Sequence, residues 1–362
     1  MKVFNKIRNA EGEIIEIPQG DELRQEAIKF ADERGEKTKA ENLQTGNSSF
    51  YVKRYITEGL GLDWDDIRNS MTAEVRTAKI GTLFTNDQTK PLFTSMIEDY
   101  VRGAYEKASK VNELIMGTVP MDQMTSSFYT ALEDTEDLDF RDVAQGAPIP
   151  VMIIGVAENK IIQVYKRGGG FELTDEAKSM RIDQIANFLR LRGARIAKTD
   201  ERLAIDTLLN GYFKDGWDAI TKIGVKNTGK ASLTDMWYAS QYMAEKTMFT
   251  PKRAIMNLET SEKWVNNETT NGTPVFLENL LNGSTPNVVQ TTPYISDQIP
   301  TDQILFVDTD FALQEYVFKA LSTEVERQAN RQIEGAYTTK TAGYVPFEPK
   351  ARLLVDLNQS RV

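Results

Sequence analysis

The chain has 362 residues, 40% of them apolar, and a formal net charge of −10. It is long enough to bury a sizeable core, yet it is too acidic overall for a dedicated DNA-binding surface, which needs clustered Lys and Arg. Cys and His are absent, which removes disulfides, thiolate nucleophiles, His general bases and Cys/His zinc sites together.

Residues 1–60 are polar and alternate in charge, with a helix expected over Asp21–Arg34 and a break at Gly46–Ser49. The start, MKVFNKIRNAEGE, carries no apolar signal core, and no run of about 18 apolar residues follows, so neither secretion nor membrane insertion is expected. Helices are expected near Ser70–Lys79 and Leu92–Leu114, followed by the acidic run EDTEDLD at Glu133–Asp139.

The stretch PVMIIGVAENKIIQVYKRGGG, Pro150–Gly170, reads as two apolar strands around a polar turn. Two strands alone are marginal in water, so this hairpin must lie against another surface. Gly168, Gly169 and Gly170 then read as a swivel, because glycine visits backbone angles closed to other residues.

The next segment, with Thr174 as N-cap, Asp175 and Glu176 in the first turn and Gly211 as a stop, reads as one helix of about 36 residues, roughly 54 Å long. Ile182, Ile185, Ala186, Leu189, Gly193, Ile196, Ala197, Leu203 and Ala204 share one stripe, expected to face the core of its own chain. The opposite side carries Arg190, Arg192, Arg195 and Lys198, with Phe188 and Leu191 between them. That side is either a solvated basic face or one covered by a neighbouring subunit. Beyond Gly211, a helix at Thr234–Lys246, strands from Arg253 and Gln303, and a Gly, Asn and Thr-rich segment at Asn266–Asn287 suggest a second α/β domain. Phe311–Asn358 reads mainly as strands.

No catalytic constellation stands out. GVKNTGKA at Gly224–Ala231 fits a phosphate loop through Gly229 and Lys230, but Ala231 replaces the hydroxyl that would hold magnesium, and Ser232 comes one place late. A nucleotide hydrolase would rest on Lys230 alone. Glu133, Asp134, Glu136, Asp137, Asp139 and Asp142 lack the spacing and central Gly of a calcium loop, and a self-repelling solvated segment is the default. No cofactor or metal is called for.

The order of these segments resembles the major capsid protein of tailed bacteriophages, whose fold is shared with herpesvirus capsid floors and encapsulins. The likeness is carried by YKRGGGFELTDEA and by FALQEYVFKALSTEVERQANRQIEGAYTTKTAGYVPFEPKARLLVDL, and covers roughly Asp142–Asn358. It implies an α+β fold with an N-terminal extension (1–60), N-arm helices (61–142), an extended loop (143–173), a long spine helix (174–211) in a peripheral domain, an axial domain (212–310), and peripheral strands ending in a final axial strand (311–362). By this resemblance Val151, Ile153, Ile154, Lys160, Ile162, Val164, Tyr165 and the glycine hinge Gly168–Gly170 would contact a neighbouring subunit. Phe188, Arg190, Leu191, Arg192, Arg195 and Lys198 would form the outer face of the spine helix.

The resemblance further implies a non-enzymatic protein that partners itself in hexamers and pentamers of an icosahedral shell. Scaffolding, portal and decoration proteins, and packaged double-stranded DNA held by non-specific contact, would complete the particle, assembled in the bacterial cytoplasm. A family cross-link would use Lys160 near the hairpin tip with Asn330 and Glu334, but their spacing departs from that pattern and favours ordinary surface roles. An encapsulin shell holding a cargo enzyme is the alternative, and the long polar N-terminal segment weighs against it.

Overall fold

The computed structural model describes residues 7–8, 14–34, 49–63, 78, 90–131, 145, 154–173, 182–267, 275–282, 286–287, 289–328 and 333–361. In chain order these residues form β1 (Ile7–Arg8), β2 (Ile14–Ile15), α1 (Asp21–Glu33), α2 (Ser49–Arg54) continued by a π turn, and α3 (Lys90–Ala108). Strands β3 (Gly117–Pro120), β4 (Thr125–Ala131), β5 (Ile154–Gln163) and β6 (Tyr165–Leu173) follow, then α4 (Ile182–Asn210). The remainder is β7 (Thr221–Val225), α5 (Leu233–Thr247), β8 (Arg253–Met256), α6 (Leu258–Val265), α7 (Leu277–Asn282), β9 (Thr292–Ile295), β10 (Gln303–Val307), β11 (Leu313–Gln328), β12 (Ile333–Pro346) and β13 (Arg352–Ser360). Apart from Ala78, a bend, the helix expected at Ser70–Lys79 lies outside the described residues, as does the cap at Thr174 with its acidic first turn.

The chain divides into two compact units, one of residues 1–109, 166–200 and 319–340, the other of residues 110–165, 201–318 and 341–362. In the first, Leu23 and Ala27 of α1, Val52 of α2, Met96, Ile97 and Val101 of α3, Ile185 and Leu189 of α4 and Ala336 of β12 form one apolar core. The stripe read on the long helix supplies that contact: Ile185, Ala186, Leu189 and Ala197 are buried. Gly193 belongs to the stripe because α3 comes so close that a Cβ there would strike the Val101 carbonyl and lie 2.9 Å from Ala104 Cβ. Within this unit β6 is hydrogen-bonded to β12.

The second unit is organised by a five-stranded sheet in the order β7-β13-β10-β8-β9. Its central strands alternate, as a pleated strand buried on both faces must. Ile304, Phe306, Leu353 and Val355 pack with Met236, Ala239 and Met243 of α5 on one side. Leu305, Val307 and Leu354 pack with Ala204, Ile205 and Leu208 of α4 on the other. Helix α5 begins where Ser232 accepts a hydrogen bond from the Asp235 N–H, and it ends at Met248 in the left-handed region, φ 62°. The segment that resembled a phosphate loop is the turn before this helix. The turn joins β7 to α5; the Gly229 N–H donates to the Leu357 carbonyl at 2.7 Å, Lys230 is exposed, and Ser232 serves as the helix cap.

The end of α4 is built with care. Gly211 adopts φ +79°, and a Cβ on it would lie 2.7 Å from the Asp218 carboxylate, which accepts hydrogen bonds from the Tyr212 and Phe213 N–H groups. Arg352, almost fully buried, donates to the helix carbonyls of Thr207 at 3.0 Å and Leu208 at 2.5 Å, and to the Asp218 carbonyl. Helix carbonyls left without partners in the last turn are thereby satisfied.

Candidate assembly surfaces

The first surface is a ribbon in the second unit. Strands β4 and β5 run antiparallel, with Thr125 opposite Gln163, Ser127 opposite Ile161, Tyr129 opposite Val156 and Ala131 opposite Ile154. Among the described residues they form a sheet of two strands. This corrects the expected hairpin within Pro150–Gly170. AENK is part of one continuous strand, the pairing partner lies upstream of residue 132, and Lys160 is not near a tip. Val151 and Ile153 lie outside the described residues. Ile154 is placed as a backbone partner of Ala131.

The base of the ribbon is anchored inside its own unit. Phe128, Ile162 and Val164 are buried with Val345, against Tyr212, Phe213 and Trp217. The Lys160 ammonium sits 3.6 Å above the Trp217 ring, a cation–π contact. Loss of solvent there lowers the Lys160 pKa, against the pull of Asp215 and Asp218. Ile162 and Val164, expected to reach a neighbouring subunit, are therefore buried in the core of their own unit. Alternation turns Ile161 outward, 63% exposed, together with Tyr129, 61% exposed, and Tyr165. Sequence reading missed β4 and this aromatic cluster, although SSFYTA and GYFKDGW carry the β-branched and aromatic residues that marked them.

The second surface is the outer side of α4 in the first unit. Phe188 and Leu191 are exposed, at 66% and 52%, and the Arg190 guanidinium lies 5.3 Å from the Tyr100 ring. Lys198 is exposed on the same helix. Arg192 and Arg195 turn toward β6 and line a cavity of about 230 Å³ with Arg167, Gly168, Gly169 and Lys340.

The three glycines are not a swivel, because they belong to β6, a strand paired in a sheet. They are small because neighbours occupy the space a side chain would need. A Cβ on Gly168 would be 2.8 Å from Thr339 Cγ2, one on Gly169 would strike Arg192 Nη2, and one on Gly170 would strike the Tyr337 ring. Beside the cavity, Lys340 donates to Asp200 at 2.6 Å and to the Tyr105 hydroxyl at 3.0 Å, and that hydroxyl donates to Asp200 at 2.7 Å. Burial, above all, pushes the Tyr105 phenol up to about 12, so it stays a donor. Asn330, named with Lys160 in the cross-linking pattern, lies outside the described residues, and Glu334 is a backbone position of β12.

Among the described residues no helix is long and apolar enough to cross a membrane, and no group of three or more acidic side chains is gathered to hold a metal ion.

Three solved structures share the fold. A virus-like particle from Pyrococcus furiosus is 12% identical, with 73% of this chain and 99% of that chain covered at a TM-score of 0.50. A phage-related protein from Bordetella bronchiseptica RB50 is 14% identical over 73% and 96% of the two chains, also at 0.50. The capsid of a native GTA particle is 12% identical over 69% and 90%, at 0.50. No curated protein matches the chain in sequence. The model of a family described as phage capsid protein, which is structural and not catalytic, matches residues 157–354. That span runs from the middle of β5 through the glycine strand, α4 and the five-stranded sheet into β13, so the chain belongs to the phage capsid protein family.

Proposed function

We propose that copies of this chain close an icosahedral shell, as hexamers and pentamers, around the double-stranded DNA genome of a tailed bacteriophage. The observation that carries this reading is the ribbon: two strands that cannot stand alone in water, fixed at the base by Phe128, Ile162 and Val164, and exposing Tyr129, Ile161 and Tyr165. Heterologous contacts repeated around a ring close into capsomers. Each copy carries −10, so burial at these contacts must offset mutual repulsion. Scaffolding, portal and decoration proteins would act on this shell in the bacterial cytoplasm, and DNA would meet it through non-specific phosphate contacts.

The test is imaging and sedimentation of the purified full chain. Closed shells, capsomers or tubes are expected, and a persistent monomer at high concentration overturns the reading. Tyr129→Ser with Ile161→Thr should leave a folded chain with strongly reduced assembly, since each buried side chain contributes about 1.5–3 kcal/mol per contact. The Pyrococcus furiosus particle shares the fold, and it keeps a second reading open, a compartment for protein cargo. Nuclease-protected double-stranded DNA in particles from infected cells supports the phage shell, and a protein cargo in its place supports the compartment.

A further inference from the structure

The turn between β7 and α5 presents two ammonium groups, Lys226 and Lys230, on a chain whose net charge is −10. Residues 226–230 are all exposed. The Lys230 N–H donates to the Asn227 carbonyl at 3.3 Å, which closes the turn, and the Gly229 bond to Leu357 ties it to β13. Between Val225 and Thr234, and again between Leu357 and Arg361, the sequence holds no acid. The first carboxylate, Asp235, is buried, accepts a hydrogen bond from the Lys226 N–H at 2.9 Å and pairs with Arg361 at 3.4 Å. Arg361 is held in turn by its N–H on the Val225 carbonyl at 2.8 Å and by a guanidinium 3.6 Å above the Tyr238 ring. That acid is thus neutralised within the fold, and among the described residues Lys226 and Lys230 have no ion-pair partner.

We infer that this turn is where the chain touches the phosphates of duplex DNA, with Lys226 and Lys230 as the contacts and Arg361 as the group that cancels Asp235. The inference rests on the shell reading and gives its DNA contact a place. A subunit carrying −10 repels a polyanion over most of its surface, so phosphates approach where cations stand uncompensated. Ammonium groups on flexible four-carbon stems meet phosphates as point charges, without a fixed geometry or sequence. Two such contacts are weak in one copy and add up over many copies, which holds a genome without fixing it in place. An unpaired strand is the competing occupant. It asks for a row of aromatic platforms, and here Trp237 is exposed while one face of Tyr238 is already taken by Arg361.

A short fluorescent DNA duplex is titrated with the purified full chain at several salt concentrations and followed by anisotropy, with a single strand of the same length as a second probe. Duplex binding that weakens with salt is expected. Lys226→Gln/Lys230→Gln should lower the affinity about tenfold or more at low salt and make the slope of log affinity against log salt shallower by about 2. Lys226→Arg/Lys230→Arg, which keeps both charges, should retain binding, and Arg195→Gln/Lys198→Gln on α4 should leave it unchanged. In particles filled with DNA, Lys226 and Lys230 should react with an amine reagent more slowly than in emptied particles, read by peptide mass spectrometry.

Shells that form while the duplex is not bound, or is bound equally by Lys226→Gln/Lys230→Gln, overturn the inference and leave the shell reading intact. Binding lost in the α4 variant and kept in the turn variant moves the contact to α4 and overturns it too. A single strand bound through the turn while the duplex is ignored overturns it in favour of unpaired nucleic acid. Equal labelling of the two lysines in filled and emptied particles overturns the genome contact. If wild type forms no shells, the shell reading fails, and duplex binding then judges the turn separately.

Discussion

The C-terminal end of α4 and its middle meet arginines in different ways. At the C-terminal end Arg352 is buried and donates to three carbonyls. Burial, chiefly, lowers its pKa to about 10, which still leaves it charged at neutral pH. Nearer the middle, Arg192 borders a cavity beside Gly169 and makes no such set of bonds to helix carbonyls, although the Nε of each arginine lacks an acceptor. One arginine, on β13, closes the helix end, and the other, on the helix itself, borders a cavity, so the same residue type serves different purposes along one helix.

That contrast can be broken most severely at Arg352. Arg352→Met should cost on the order of 3 kcal/mol, because buried carbonyls lose their donors, and urea unfolding measures it. A loss under about 1 kcal/mol would mean that the helix end does not need the arginine. Arg192→Met should change stability by less than about 1 kcal/mol, which separates an arginine that borders a cavity from one that closes a helix end in one pair of measurements.

Gly169→Ala is subtler. The added methyl meets the tip of a flexible side chain, so stability should move by less than about 1 kcal/mol. Arg192 must then leave its place beside the strand.

The smallest effect concerns a carboxylate. Glu98, buried beside Arg102, has its pKa raised above 4.5 by burial, with Arg102 opposing. For an acid whose folded value is raised, the stabilising contribution is fully present below 4.5 and is lost as pH rises through the folded value. Glu98→Gln should therefore flatten the decline in melting temperature just above pH 4.5. An unchanged pH profile would show that Arg102 fully compensates the burial.

What could be read from the sequence was local. The stripe on α4 and the stop at Gly211 depend on residues within a few turns, so periodicity and a single glycine were enough. The ribbon was misread because strand pairing is non-local. Nothing in AENK reveals that its partner is SSFYTA, beyond the acidic run. The glycines were misread for a related reason. Glycine for freedom and glycine for close approach look identical until Arg192, Tyr337 and Thr339 are placed over them. The cationic face of α4 was visible, but its division was not. Arg190 goes to Tyr100, and Arg192 and Arg195 join Arg167 across a strand.

The ribbon's register slips between Ser127↔Ile161 and Tyr129↔Val156, leaving several residues of β5 opposite Phe128 alone. Ladder bonds are missing there, and bulged strands bend. A bend in this ribbon would thus disrupt fewest ladder bonds at that slip, between the packed root and the outer strand ends, whereas the run of glycines lies in a paired strand. Amide hydrogens at Glu158–Lys160 should exchange with deuterium faster than those at Ile161–Val164. A rigidifying staple across the slip would test how much angular tolerance the closing shell requires.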